Sequence, residues 1–479
     1  MQSILHVLRR FSFLGVFLAW ALPPCAAHCK QLPAAREQDQ GNSQEQFPPA
    51  ERLPVSPGMR QELKFPGGND STITFQFSPD GKKVIGGTHP GSLIACWDVE
   101  SGELLTTIET AEKDWKGTVG GFHVSPDWST VFACSNLQTV KVVEERGEQK
   151  LHFEFESCVR AWDLSTGELK RTYTQDPQRG ILFMQLTPDG KRFATCAERP
   201  GVFSTQPSRV VSIWNIEDGT FWDLEEGVSQ FNGFTPGGEL IAYRAGNPGP
   251  LTLLTIDLNS FESRTTLTWD LPEHDNISVV SFTPDGRYMV GFHQSILRAD
   301  AQPDIDVDIV WWDAQTGKER KRSYFGRNTG VSHHAYSPDG KFLAKTNARV
   351  PELQLYLFRT ADQTLQHTVP LAKAEAELQP LASSTVFSPD GNYAVVCVKR
   401  RRMNKFAKHI PLEIPLEQQE QPRIHIIDVE SGAIVKTLVG PQGWATSPQF
   451  SPDGKTFAIS GPDTVMLWDW ATMCEGLDK

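Results

Sequence analysis

The chain lacks the local signatures that carry common enzyme chemistry. There is no Gly-x-Ser-x-Gly elbow, no His-Glu-x-x-His and no phosphate-cradling Gly-x-x-x-x-Gly-Lys. No pair among its eight cysteines has metal-ligand spacing, and Cys-x-x-Cys is absent. These gaps leave open only enzymes that assemble a site from distant segments. Positive charge is short as well: 46 Lys and Arg stand against 58 Asp and Glu, a formal charge of −12. Without an overall positive field, nonspecific nucleic-acid binding is disfavoured. Long apolar runs are missing too. The run at residues 11–22 is too short for a membrane-spanning helix, which needs about 20 residues.

What is present is a turn that keeps returning. Ser/Thr-Pro-Asp-Gly, usually preceded by Phe, occurs at Ser78, Thr187, Thr283, Ser337, Ser388 and Ser451. Two variants complete the series, Ser125-Pro126-Asp127-Trp128 and Thr235-Pro236-Gly237-Gly238. The eight copies are spaced by 47 to 63 residues, which signals a repeat architecture. Pro presets φ, Asp tolerates the bridge region and Gly supplies positive φ, so each copy reads as a hairpin turn between two strands. Trp128 in the Gly position implies strain or another turn type. Gly237 loosens the fourth copy.

A second signature closes the third strand of most units: Trp97-Asp98, Trp162-Asp163, Trp214-Asn215, Trp312-Asp313 and Trp468-Asp469. Weaker forms are Ile256-Asp257, Phe358-Arg359 and Ile427-Asp428. Four short antiparallel strands per unit, repeated radially, make the blades of a β-propeller. On these residues the chain resembles the WD-repeat propeller family, and its turns are similar to those of TolB-type propellers. The resemblance covers residues 58–473 and implies a fold, not a function. The family's Gly-His opening is absent, and so is its usual Asp between the second and third strands, apart from Asp463. The blades are therefore expected to rely on apolar packing.

The expected fold is all-β, a single eight-bladed propeller. Seven blades is the rival count, since the fourth copy is the weakest, but dropping it leaves far more chain than one blade needs. The eighth unit has only three strands, and residues 61–65 precede the first unit without a blade of their own. Those residues are expected to supply the missing outer strand and close the ring, removing edges that invite aggregation. Residues 1–27 read as a secretory signal: Arg9-Arg10, the apolar run, Pro23-Pro24, then Cys25-Ala26-Ala27. An uncleaved anchor or a lipoprotein are the alternatives. Residues 28–57 read as a flexible linker and 474–479 as a tail. The cysteines in strands read as small buried hydrophobes, and an oxidising compartment would open the way to a disulfide among those of the first three blades.

Candidate binding residues follow from the blade plan. The first-to-second and third-to-fourth turns share one face, here built of short regular turns. The opposite face carries the length variation: residues 136–156, 198–208, 294–306 and 399–422. Insertions gathered on one face mark a binding face. The last one holds a basic cluster, Lys399, Arg400, Arg401 and Arg402, with Lys405, Lys408 and His409, followed by Glu413, Glu417 and Glu420. It reads as a solvated loop or as a site for an acidic partner. Trp115, Trp222, Trp269 and Trp444 fall near blade-to-blade connections, where they pack between blades or anchor a partner peptide. Asp300, Asp304, Asp306 and Asp308 lack a calcium-loop pattern and read as a solvated stretch entering a strand. His333-His334 read as structural. No cofactor or metal is called for. The leading functional expectation is an exported, periplasmic or secreted scaffold binding a protein or peptide. The alternatives are a hydrolase or lyase at the central channel mouth, or a carbohydrate- or envelope-binding module.

Overall fold

The chain forms an eight-bladed β-propeller, so the rival count of seven falls away. The computed structural model describes residues 55–477 except 67–71, 90–92, 111–117, 146–147, 176–178, 200, 203–208, 226, 236, 245–250, 270–274, 297–304, 328, 349–351, 376–377, 403–419 and 441–445. The leader and most of the linker lie outside the described residues.

Blade 1 shows the plan. Thr72–Phe77, Lys83–His89, Leu93–Asp98 and Leu104–Glu109 pair in sequence order, innermost strand to outermost. The strand order is the same in blades 2 to 7. Alternation along the strands explains the packing. The second and third strands are buried on both sides by neighbouring blades, and they read as continuous apolar runs, such as Val84-Ile85 and Ala95-Cys96-Trp97. The outermost strand buries one side in part; in Leu104–Glu109 only Ile108 is fully covered.

The recurring turn carries its own polar network. The Ser78 hydroxyl donates to Asp80 Oδ1 at 2.6 Å, and it accepts from the Lys83 N–H at 2.8 Å. Asp80 Oδ1 also takes the Lys82 N–H at 3.1 Å. The wiring repeats at Ser125, Thr187, Thr283, Ser337, Ser388 and Ser451. Trp128 keeps the turn rather than changing its type: its N–H still bonds to the Ser125 carbonyl, and it holds φ 57°. The strain expected there is real. In the fourth copy Gly238 N–H still reaches the Thr235 carbonyl, but strand pairing resumes one residue sooner, at Glu239.

The ring closes as the sequence implied, with the strand starting two residues earlier. Met59–Lys64 pairs antiparallel with Thr464–Asp469 as the outermost strand of blade 8. Phe65 follows and sets its ring edge-on to Trp97 of blade 1 at 4.7 Å. Leu63 and Phe65 thus join one apolar cluster with Phe75, Trp97 and Leu467. The first and last blades share a core.

Because Leu63 is 2% exposed at this seam, Leu63→Ala should cost about 2–5 kcal/mol in urea unfolding. The exposed neighbour Lys64, changed to Ala, should stay within about 0.5 kcal/mol. Equal effects for the two would deny the seam its role in closing the ring.

Candidate functional site

Two surfaces and one junction emerge from this frame. The turn face keeps its polar groups occupied. Its Asp carboxyls are held below the usual carboxylate range, Asp80 mainly by the Ser78 hydroxyl and Asp163 by the Ser165 hydroxyl. Lys341 pairs with Asp339 at 2.9 Å and Lys455 with Asp453 at 3.9 Å.

The loop face is irregular. The expected insertion at residues 136–156 is a projecting hairpin arm rather than a loop. Strands Thr130–Glu145 and Glu148–Asp163 pair along their whole length. Gly201–Val202, from the extension of blade 3, adds to the arm against His152 and Phe153. A second projection comes from blade 7, where Leu378–Phe387 and Tyr393–Arg402 run past the sheet. The basic cluster is therefore strand at its start: Lys399, Arg400, Arg401 and Arg402 lie opposite Leu381, Pro380, Gln379 and Leu378. Arg400 is held by Glu375 at 3.0 Å and Glu420 at 3.9 Å. Lys405, Lys408, His409, Glu413 and Glu417 lie outside the described residues.

The remaining candidates scatter. Trp115 and Trp444 lie outside the described residues, as do Asp300 and Asp304. Trp269 is 8% exposed and edge-on to Trp312 at 5.5 Å, inside the packing of blades 4 and 5. Asp306 pairs with Arg327 at 2.9 Å and Asp308 with Arg322 at 3.2 Å. His334 Nε2 meets the Ser281 hydroxyl at 2.5 Å, bridging blades 5 and 6. Among the described residues no group of three or more His, Cys, Asp or Glu is placed to hold a metal ion. Burial raises the Cys196 thiol to about 12.

One Ser–His–Asp grouping does form, and its wiring is wrong for nucleophile activation. His293 Nε2 faces Asp275 at 3.1 Å, and Ser295 lies 3.5 Å from His293 Nδ1. Arg322 donates to that same Nδ1 at 2.8 Å, and Ser295 donates to Asp275 at 3.2 Å. The base nitrogen is occupied and the serine proton points at the carboxylate.

Trp222 is different. In each blade one outer-strand residue lies opposite the position before the third strand's Trp or its substitute. Arg264 holds that register in blade 4; in six other blades it is held by Gln61, Thr106, Arg171, Lys321, His367 and Lys436. All six donate to a carbonyl at the next blade's outer end: Gln61 to Glu100 at 2.8 Å, Thr106 to Ser165 at 3.4 Å, Arg171 to Glu217, Lys321 to Asp362 at 3.5 Å, His367 to Glu430 at 2.9 Å and Lys436 to Glu475 at 2.7 Å. Trp222 holds this register in blade 3 and makes no such bond. Its ring meets Phe261 edge-on at 4.4 Å. Phe261 stands where blades 1, 2, 3, 5 and 7 place a left-handed glycine, and it keeps φ 58°. Such a backbone is strained for a bulky residue. At Gly432 the same position is crowded by His367, which a Cβ would approach to 2.5 Å.

The outer strand of blade 3 is only three residues, Phe221–Asp223. A side-wall cleft of about 110 Å³ opens between blades 3 and 4, with Trp222, Leu224, Val228, Ile256 and Phe261 among its walls. Glu225 and Arg244 pair there, and Ser263 lies beside Glu225. Arg192 places its guanidinium 5.9 Å from both the Trp222 and Phe261 rings and donates to the Leu258 carbonyl. Trp222 Nε1 and Arg244 Nε are buried donors without an acceptor. Each such group costs on the order of 1–3 kcal/mol. The sequence named Trp222 as an aromatic near a connection but missed Phe261, Arg244 and Arg192. The readable signal was Phe261 standing where five other units have the turn glycine.

Lys345 was also missed. It is fully buried between blades 5 and 6, its Nζ 4.3 Å over the Phe292 ring and without a hydrogen-bond partner. Burial drives its pKa well down.

No protein-family model matches the chain. A segment of 158 residues, 32% of the chain, is 25% identical to the uncharacterized protein Atu1656 of Agrobacterium fabrum and spans 47% of it. Among solved structures, the C-terminal WD40 domain of Sif2 is similar over 86% of this chain and 98% of its own, at 11% identity and TM-score 0.52. The hydrazine synthase of Kuenenia stuttgartiensis is similar over 70% of this chain and 96% of its own, at 14% identity and TM-score 0.44. Sif2's domain shows a shared fold. Among the described residues no helix is long and apolar enough to cross a membrane.

Buried imidazoles set the response to acid. His425 is lowered to about 4, first by burial and then by Arg423, and His123 and His293 are lowered by burial. The fold keeps them neutral while the unfolded chain takes up protons below about 6.5. Their contribution is full above that value and is lost as pH falls below it, for His425 down to about 4, by up to about 1.4 kcal/mol per pH unit. His425→Gln should flatten the slope of unfolding free energy between pH 6.5 and 4. An unchanged slope would show that His425 already protonates freely in the fold.

Proposed function

We propose that this protein is a non-catalytic scaffold that binds a protein or peptide through its loop face, outside the cytoplasm. The observation that carries this reading is the asymmetry of the two faces. One is a ring of near-identical turns whose hydroxyls, carboxylates and N–H groups satisfy one another. The other bears the hairpin arm of blade 2, built on two sixteen-residue strands, and the basic extension of blade 7. Self-satisfied turns offer a partner little, whereas projecting strands and charge offer edges, area and specificity. The fold shared with a WD40 domain is compatible with such a role. Export rests on the leader-like residues 1–27.

Among the described residues the enzyme alternative has one constellation to draw on, Asp275, His293 and Ser295, and Arg322 blocks its base. The glycan-binding alternative needs open, coplanar indoles, and every described tryptophan is buried or half-buried.

Two variants test the reading: one shortens the blade 2 arm by replacing residues 139–154 with Asn-Gly, which keeps the Gln138–Phe155 pair, and one removes residues 403–419. Each should melt within a few degrees of the parent and lose at least one cross-linked partner from the exported fraction. Partner sets identical to the parent's in both variants would remove the loop face as the binding surface. Sequencing the mature amino terminus of exported protein should place cleavage near Ala27.

A further inference from the structure

We propose that the side-wall cleft between blades 3 and 4 is a second binding site, for one branched aliphatic side chain of a partner polypeptide together with its own peptide group. It goes beyond the loop-face reading and rests on it only in taking the occupant to be a polypeptide. The cleft's size sets the side chain. At about 110 Å³ it is smaller than the ~150 Å³ apolar cavity that accepts benzene. An isopropyl or isobutyl group suits a space of that size. Leu224, Val228, Ile256 and Phe261 give that group an apolar lining.

The polar groups at the same place set the rest of the ligand. Trp222 Nε1 and Arg244 Nε are two donors with no acceptor, so the occupant brings oxygen. Glu225 stands on the rim, its side chain 63% exposed and paired with Arg244. Its charge repels a free carboxylate and accepts an N–H. Arg192 and Arg244 repel an ammonium. A neutral amide, with one carbonyl and one N–H, meets all three demands. Both unpartnered nitrogens are shielded from water, so Glu225 is the group that swings aside as an acceptor arrives.

The strain at Phe261 supports the same conclusion. Glycine serves this turn position in five blades, and glycine here would remove the aromatic wall. The chain keeps a ring at φ 58° where it shapes the cleft. Strained backbone held this way collects at ligand sites.

The test uses the full chain with ¹⁵N-labelled tryptophan, and N-acetyl-leucine N-methylamide as probe. The Trp222 indole N–H resonance is identified by its loss in Trp222→Phe. Adding probe should move that resonance downfield and saturably, and N-acetyl-alanine N-methylamide should bind about tenfold more weakly. Phe261→Gly should keep or raise the melting temperature and abolish the shift, which separates loss of the site from loss of the fold. The proposal is overturned by no saturable shift up to the probe's solubility, by an unchanged shift in Phe261→Gly, or by preference for free N-acetyl-leucine. A concentration-dependent dimer that Phe261→Gly dissolves would assign the cleft to a second copy. Much tighter probe binding after removal of residues 1–54 would assign it to the chain's own leading segment. Either result also overturns the proposal. The loop-face variants leave this titration untouched, so the two readings fail separately.

Discussion

A ring of sheets is stable only if its two ends meet, and here they meet through backbone pairing between Met59–Lys64 and Thr464–Asp469. Each blade is a small sheet whose faces need neighbours to bury them, so an open array would leave two apolar faces and two edges in water. Bringing together ends separated by nearly the whole described chain costs entropy, but that cost grows only with the logarithm of the separation. The return is a continuous core. Leu63 and Phe65 from the front of the chain pack with Ala458 and Leu467 from its end and with Phe75 and Trp97 of blade 1. Once this seam holds, each blade junction is covered on both sides.

With closure secured, the junctions are free to differ in detail. Most outer strands lean on the next blade through one donor and one turn carbonyl. Side chains as different as Gln61, Arg171 and His367 do this from the same register. A carbonyl lies within reach at each of these junctions, so donors of different chemistry serve. The junction of blades 3 and 4 departs from this. Trp222 replaces the donor with an aromatic edge contact, Phe261 replaces the turn glycine, and Arg192 reaches the Leu258 carbonyl from another strand. The link survives with different chemistry, and a cleft of about 110 Å³ remains beside it.

The two faces divide stability and variation between them. Turns on one side are closed hydrogen-bond circuits, which makes them interchangeable between blades and indifferent to what lies outside. On the other side the chain lengthens without disturbing the sheets, because strand pairing continues outward. The blade 2 arm and the blade 7 extension are both strand pairs carried past the ring. The start of the basic cluster thus stands on a paired strand in an acidic protein, with Arg400 held by Glu375 and Glu420.

Fold, blade count and closing strand were legible in the residue order because they depend on local chemistry. Proline and glycine at fixed turn positions dictate hairpins, strand-length apolar runs dictate burial on two sides, and an unpaired strand at the front matches a missing one at the back. The site was legible only in part. Trp222 and the cluster from Lys399 to Arg402 stood out by type and spacing. That residues 136–156 form a paired arm depended on cross-strand partners that no local pattern specifies. Nor did the order of residues reveal that Trp222, Phe261 and Arg244 line one cleft, with Arg192 set against its two rings. They come from four strands and turns of two blades, and their meeting is set by how adjacent sheets dock. Side chains distant in sequence become neighbours only after backbone pairing and packing have placed them, which is why the ring could be read from the chain alone and the cleft could not.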